Sequence, residues 1–129
     1  MKFLLPRRTL VLGGASSGKS LWAERFVERS GLPKHYIATA EAGDDEMKSK
    51  IARHQKRRDA RWITHDAPLA LGPALSAIPE NDVALFDSAT MWLSNHLLRE
   101  NDLEAAQEAL LADLDGAAGA IVIVSDEVG

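Results

Sequence analysis

One short run near the start of the chain constrains its fold more than any other: Gly13-Gly14-Ala15-Ser16-Ser17-Gly18-Lys19-Ser20. It fits the pattern G-x-x-x-x-G-K-S/T and lies between an apolar stretch, 9–12, and a segment with helical spacing. Backbone N–H groups in such a turn point at phosphate oxygens, and the next helix presents its positive dipole end to them. Lys19 can reach the β- and γ-phosphates, and the Ser20 hydroxyl can hold Mg²⁺. We predict a loop that binds nucleoside triphosphates; a flexible Gly/Ser linker is the alternative, which the apolar flanks disfavour.

The composition fits one globular domain without thiol chemistry. The chain has 129 residues, of which 46% are hydrophobic and 26% charged, and it has no internal repeat, so a single domain over 1–129 is expected. It contains 0 Cys, which excludes disulfides and thiolate metal sites. No run is long and apolar enough for a signal peptide or a membrane span, so we expect a cytoplasmic location. The net charge of -4 argues against broad affinity for nucleic acid.

Apolar runs and helix signals alternate along the chain. The predicted strands are 9–12, 35–39, 61–65, 82–86 and 120–124. The predicted helices are 19–29, 46–58, 90–99 and 103–114, with a short helix within 67–79. This alternation predicts an α/β fold: a mostly parallel sheet with right-handed crossovers and helices on both faces.

A carboxylate closes the fourth predicted strand. The run 83–87 is apolar until Asp87. Ligands of parallel sheets bind at the carboxyl ends of strands, so Asp87 stands where an acid would hold Mg²⁺ beside Ser20. An aspartate at such a position is also a routine helix cap, and that alternative stays open.

One helix combines a histidine with several cations. Helical spacing would place Lys50, His54, Arg57, Arg58 and Arg61 on one face. Like charges disfavour protonation of His54, which would keep it neutral and available as a nucleophile, while the three arginines could clamp a polyphosphate. The alternatives are a solvated basic face and an unspecific RNA-binding patch.

The order of these features resembles the bifunctional adenosylcobinamide kinase/adenosylcobinamide-phosphate guanylyltransferase family of cobalamin biosynthesis. Besides the glycine-rich loop, the matching segments are Tyr36-Ile37-Ala38-Thr39-Ala40, Asp44-Asp45-Glu46-Met47 with Ile51 and His54, Trp62-Ile63-Thr64, Leu85-Phe86-Asp87-Ser88-Ala89-Thr90-Met91-Trp92-Leu93-Ser94-Asn95 and Val124-Ser125-Asp126-Glu127-Val128-Gly129. The match spans nearly the whole chain.

The resemblance implies two reactions and an assembly. A nucleoside triphosphate, ATP or GTP, phosphorylates adenosylcobinamide, and GMP from GTP is then transferred onto that phosphate with release of pyrophosphate. His54 stands at the position of the family's guanylylated histidine. The resemblance also implies a RecA-like P-loop fold and a homotrimer.

The sequence departs from the family pattern in three ways. Ser88 stands where Cys is usual, and Asp126 replaces a usual Asn, which brings a negative charge near the phosphates. Family members also continue by several tens of residues beyond Gly129, so we expect a C-terminally incomplete domain, with apolar surface left exposed by the uncovered strand 120–124. Two other functions remain open: a P-loop kinase of another small metabolite, and a non-catalytic nucleotide-binding fragment.

Overall fold

The computed structural model describes residues 5–14, 17–41 and 45–126, except for the side chain of His54. The strands in these ranges are β1 (Arg8–Gly13), β2 (Lys34–Ala38), β3 (Trp62–Asp66), β4 (Val83–Asp87) and β5 (Ala120–Asp126). The helices are α1 (Lys19–Arg29), α2 (Asp45–Arg57), α3 (Gly72–Ser76), α4 (Ala89–Leu98) and α5 (Leu103–Gly116). Every predicted element is present. None of the described helices combines the length and the apolar character needed to cross a bilayer.

All strands are parallel and form one sheet in the order β1-β5-β4-β2-β3. The order brings the carboxyl ends of β1, β5 and β4 side by side, because each is hydrogen-bonded to the next. The loop that follows β1 therefore shares an edge of the sheet with the last residues of β4 and β5. The predicted parallel α/β fold is confirmed.

Alternate residues of each central strand pack into two cores, one on each face of the sheet. On one face, α1 buries Ala23 and Val27 against Tyr36, Leu85 and their neighbours. On the other face, α3, α4 and α5 cover the following residues: Ile37, Ala84, Phe86 and Ile121. A strand covered on both faces has to be apolar almost throughout, which explains the composition of β4.

The expectation that placed exposed apolar surface on β5 is wrong, and β1 is one of the elements that expose large apolar side chains instead. In β5, Ile121, Val122 and Val124 are buried, because this strand lies between β1 and β4. Strand β1 instead forms an edge of the described sheet, and its Leu10 and Leu12 are 58% and 55% exposed. Strand order, which the sequence pattern does not contain, decides which apolar residues are covered.

Candidate active site

The glycine-rich loop connects β1 to α1 and places Lys19 at the first position of the helix. Gly18, the residue before α1, has a φ of 84°, a left-handed conformation that glycine adopts without the strain of a Cβ. Ser17 donates its backbone N–H to the Gly14 carbonyl at 3.2 Å, and Lys19 Nζ donates to the same carbonyl at 3.0 Å. Ala15 and Ser16 lie outside the described residues. The described part of the loop is thus a turn closed by hydrogen bonds to the Gly14 carbonyl.

Asp87 ends β4 and accepts a hydrogen bond from a buried tyrosine. The Tyr36 hydroxyl donates to Asp87 Oδ2 at 2.7 Å. Burial, and then the neighbouring Asp87 carboxylate, raise the pKa of Tyr36 above its ordinary value, so the phenol remains a proton donor. The helix cap that remained an alternative for Asp87 is supplied by Ser88, whose hydroxyl accepts from the Met91 N–H at 3.1 Å.

The turn between β4 and α4 is fixed by a buried threonine. Thr39 Oγ1 accepts from the Ser88 N–H at 2.8 Å and donates to the Ser88 carbonyl at 3.0 Å. Asn95, also buried, donates its amide to the Thr39 carbonyl at 2.8 Å. This network holds the carboxyl end of β4, and with it Asp87, in one position.

A second carboxylate, Asp126, ends β5 and forms an ion pair with Lys19 Nζ. Its backbone N–H donates to Thr90 Oγ1 at 2.8 Å, which ties the end of β5 to the first turn of α4. From the sequence, the Asp126 carboxylate is expected to bring a negative charge near the phosphates. In the structure this carboxylate contacts Lys19.

Helix α2 forms the opposite wall of the site. Met47, Lys50, Ile51 and Arg57 line the same cavity as the loop. His54 stands three residues after Ile51 and three before Arg57, the helical spacing of that face. The side chain of His54 lies outside the described structure.

Three arginines were predicted to clamp a polyphosphate, and two of them, Arg58 and Arg61, are not among the described residues that line the cavity. Arg57 lines the cavity, and its Nε donates to Glu24 Oε2 at 2.7 Å. Arg58 lies over the Tyr36 ring, 3.4 Å from guanidinium carbon to ring centroid, and forms an ion pair with Glu24 at 3.5 Å. These contacts join the C-terminal end of α2 to α1 through Glu24.

The single helical face predicted from Lys50 to Arg61 is wrong, because α2 ends at Arg57. The chain turns at Asp59. The Asp59 carboxylate accepts hydrogen bonds from the backbone N–H of Arg61 at 2.9 Å and from the Arg61 guanidinium at 2.7 Å. The side-chain hydrogen bond from Arg61 lowers the pKa of Asp59 to about 2. Arg61 is thus an exposed residue of the turn before β3.

Glu24 is the residue that sequence reasoning missed. It is 2% exposed and lies on the buried face of α1 with Ala23 and Val27. A carboxylate on an apolar helix face must find a cation, because an unpaired buried charge is strongly unfavourable. A carboxylate on the apolar face of the predicted helix was therefore the sequence signal that could have identified Glu24.

The glycine-rich loop, the carboxyl ends of β4 and β5, and α2 enclose a cavity of about 520 Å³. Its described lining includes six residues from the loop, the start of α1 and α2: Ser17, Gly18, Lys19, Ser20, Lys50 and Arg57. It also includes two acids, Asp87 and Asp126. The Ser20 hydroxyl and the Asp87 carboxylate are both oxygen donors of the kind that Mg²⁺ prefers, and Mg²⁺ commonly needs only one or two protein ligands besides phosphate. The residues present therefore fit a nucleotide–magnesium site.

A glycine-rich loop between a strand and a helix, at the carboxyl edge of a parallel sheet, defines a P-loop nucleotide-binding protein. Solved structures agree on the fold. A KaiC-like protein from Pyrococcus horikoshii superposes with a TM-score of 0.54 at 17% identity, over 94% of this chain and 61% of that one. The RadB recombinase superposes with a TM-score of 0.53 at 18% identity, over 92% of this chain and 60% of that one.

Residues 9–129 match the family model of cobinamide kinase / cobinamide phosphate guanyltransferase, and the chain belongs to that family. It is 48% identical over 125 residues to the bifunctional adenosylcobalamin biosynthesis protein CobP of Pseudomonas aeruginosa, covering 95% of this chain and 72% of the relative. It is 33% identical over 136 residues to the protein CobU of Escherichia coli, covering 93% of this chain and 75% of the relative. The family and enzyme class expected from the sequence are confirmed.

Proposed function

We propose that this chain phosphorylates adenosylcobinamide with a nucleoside triphosphate and then transfers GMP from GTP onto the resulting phosphate. The observation that carries the proposal is the shared cavity, in which the phosphate loop, Asp87 and the helix of His54 meet. Family membership supplies the substrates, and the cavity supplies a site in which both reactions could take place.

In the kinase step, the loop binds the triphosphate through its backbone N–H groups and Lys19. The substrate hydroxyl attacks the γ-phosphorus, the bond to the β-phosphate oxygen breaks, and the hydroxyl proton is released. Lys19 stabilises the negative charge on the transferred phosphoryl group, and electrostatic stabilisation of this kind usually contributes most to the rate of such reactions. Ser20 and Asp87 would hold Mg²⁺, which when bound neutralises part of the phosphate charge.

In the guanylyl step, an imidazole nitrogen of His54 attacks the α-phosphorus of GTP and pyrophosphate leaves. A phosphate oxygen of adenosylcobinamide phosphate then attacks the guanylyl phosphorus, the P–N bond breaks, and free His54 is restored. The support for this role is the spacing of His54 between Ile51 and Arg57, which both line the cavity.

The phosphate clamp predicted from Arg57, Arg58 and Arg61 is retained for Arg57, which lines the cavity. All three arginines would have to leave a carboxylate to reach a nucleotide: Glu24 for Arg57 and Arg58, and Asp59 for Arg61. Their phosphate role stays a prediction, as do the homotrimer, the cytoplasmic location and the missing C-terminal part. Light scattering on the purified chain tests the trimer.

The decisive experiment is incubation with Mg²⁺ and GTP labelled at the α-phosphate. We expect a protein adduct that acid cleaves and alkali does not, as for a phosphoramidate. His54→Asn should abolish the label, and His65→Asn, the same exchange on β3, should retain it. Label that persists in His54→Asn, or maps to Lys19, would contradict the assignment.

The same preparation distinguishes the two other functions. Phosphorylation of cobinamide without labelled protein would favour a simpler kinase, and GTP binding without turnover would favour a non-catalytic nucleotide-binding fragment. Lys19→Ala should abolish cobinamide phosphorylation while circular dichroism stays unchanged, because the side chain is needed for phosphate charge and not for the core.

A further inference from the structure

Two carboxylates, on adjacent strands, face the phosphate loop from the same edge of the sheet. Asp87 pairs in register with Val124, so Asp126 lies two residues further along the neighbouring strand β5. Both line the cavity, but they have different partners: Asp87 accepts from Tyr36, whereas Asp126 is bound to Lys19. Asp126 is therefore the acid in direct competition for the lysine that a phosphate would use.

The lysine of this ion pair is sheltered from water, and its carboxylate is partly so. The Lys19 side chain is 11% exposed and the Asp126 side chain 34%. Exposed ion pairs contribute little because water and salt screen them, but partly buried charges interact more strongly. The hydrogen bond from the Asp126 N–H to Thr90 also holds the backbone of this acid, so it cannot easily move away from the loop.

The charged side chains in the described part of the cavity lining nearly balance. Lys19, Lys50 and Arg57 stand against Asp87 and Asp126, and Arg57 is already paired with Glu24 outside the lining. From the charged side chains of the described lining, a bare triphosphate therefore meets little net positive charge, and to bind Lys19 it has to displace Asp126. A triphosphate that carries a divalent cation brings its own countercharge to both carboxylates.

We propose that Asp126 makes this site selective for the metal-complexed nucleotide over the free nucleotide. The carboxylate competes with phosphate oxygens for Lys19 and repels them, and a divalent cation on the phosphates converts that repulsion into attraction. Asp126 thus determines specificity for the ionic form of the substrate. The inference rests on the proposed function, in which the triphosphate lies against Lys19.

Calorimetric titration with ATP tests this, once with Mg²⁺ and once with EDTA. The unmodified chain should bind ATP much more tightly with Mg²⁺. Asp126→Asn keeps the size of the side chain but removes its charge, so the affinity for metal-free ATP should rise about tenfold, since apposed like charges are costly. The ratio of the two dissociation constants should fall accordingly.

Two further variants serve as controls, one for the charge at position 126 and one for the position of the carboxylate. Asp126→Glu keeps the charge and should keep the preference for the metal complex. Asp66→Asn removes an exposed carboxylate that closes β3 at the same edge of the sheet, outside the cavity lining, and should leave both affinities unchanged.

The outcomes distinguish this inference from the proposed function. Tight binding of ATP with Mg²⁺ but an unchanged ratio in Asp126→Asn would overturn only the role of Asp126. No binding of ATP by the unmodified chain, with or without Mg²⁺, would overturn the proposed function and this inference together.

Discussion

The hydroxyl of Tyr36 on β2 donates to Asp87 Oδ2 at the end of β4, at an oxygen–oxygen distance of 2.7 Å. The tyrosine is 5% exposed and is held from two sides, by the Arg58 guanidinium over its ring and by an edge contact with Trp62. A buried, immobile donor fixes one oxygen of Asp87 and thereby sets the direction of the other. Tyr36 is thus a positioning residue for the acid proposed to hold Mg²⁺.

Tyr36→Phe should therefore lower the affinity for Mg²⁺ more than it lowers the stability of the fold. Loss of a partner that orients a metal-binding carboxylate typically costs about 10-fold to 100-fold in metal affinity or activity. We expect the Mg²⁺ concentration for half-maximal cobinamide phosphorylation to rise by about 10-fold. Trp62→Phe, which shrinks the ring in contact with Tyr36 but leaves the Tyr36 hydroxyl in place, is the control and should leave this concentration nearly unchanged.

Glu24→Gln should destabilise the fold, because it leaves Arg57 and Arg58 without their shared carboxylate. Removing one partner of a buried ion pair costs about 3–5 kcal/mol, and we expect about 3 because the Arg57 side chain is 33% exposed. Glu28→Gln on the same helix is the control: Glu28 is 42% exposed and pairs at 3.5 Å with Lys34, whose side chain is 9% exposed but also lies over the Trp62 ring, 5.1 Å from its centroid. Its loss should cost less than about 1 kcal/mol. Urea unfolding measures both, and equal costs would contradict the structural role of Glu24.

The features that could be predicted from the sequence are local ones. The loop from Gly13 to Ser20 could be predicted because its glycines, its lysine and the helix that follows are contiguous in the sequence. Asp87 could be placed because an apolar run stops at a carboxylate. Helix and strand limits agree with the structure for the same reason, since periodicity and turn residues act within a few positions.

The features that could not be predicted depend on strand order and on side chains distant in sequence. The sequence does not show that β5 lies beside β1, which is why the Lys19–Asp126 ion pair is not predictable as a contact. It also does not show that Arg58 leaves the helix to cover Tyr36. In each case a tertiary contact decides between local alternatives of similar free energy.

His65 should make stability depend on pH. Burial, and then the nearby His35, lower the pKa of His65 below its ordinary value of 6.5. The unfolded chain therefore binds the proton more readily, so this contribution to stability is complete above about pH 6.5 and is lost as the pH falls through the folded-state pKa. The groups that face this histidine are His35, whose Nδ1 lies 3.0 Å from His65 Nε2, and beyond it Asp82, 2.8 Å from His35 Nε2.

Melting temperatures measured on either side of about pH 6.5 test this. The unmodified chain should lose stability on acidification, and His65→Asn should lose less over the same interval. An identical loss in the two proteins would assign the acid sensitivity to other groups.

A side chain at Gly119 should destabilise the fold. It precedes β5, and a Cβ built there would lie 2.6 Å from Ile78 Cγ2 and 2.7 Å from the Pro79 carbonyl oxygen. The backbone at this point is held by the hydrogen bond from the Ala120 N–H to the Asp82 carbonyl, so relief requires that β5 shift away from the chain before β4. Overpacking of this kind costs about 1–3 kcal/mol, and Gly119→Ala should lower the free energy of unfolding by that amount.

Gly116→Ala is the matched control, three residues earlier at the end of α5. A Cβ there meets nothing within 4 Å, and alanine favours a helix over glycine by up to about 1 kcal/mol. The same exchange should therefore be neutral or stabilising at Gly116 and destabilising at Gly119. Because β5 carries Asp126 to Lys19, Gly119→Ala should also weaken the discrimination between free and metal-complexed ATP, whereas Gly116→Ala should not. Equal unfolding free energies for the two variants would show that the junction before β5 is not packed as the structure describes.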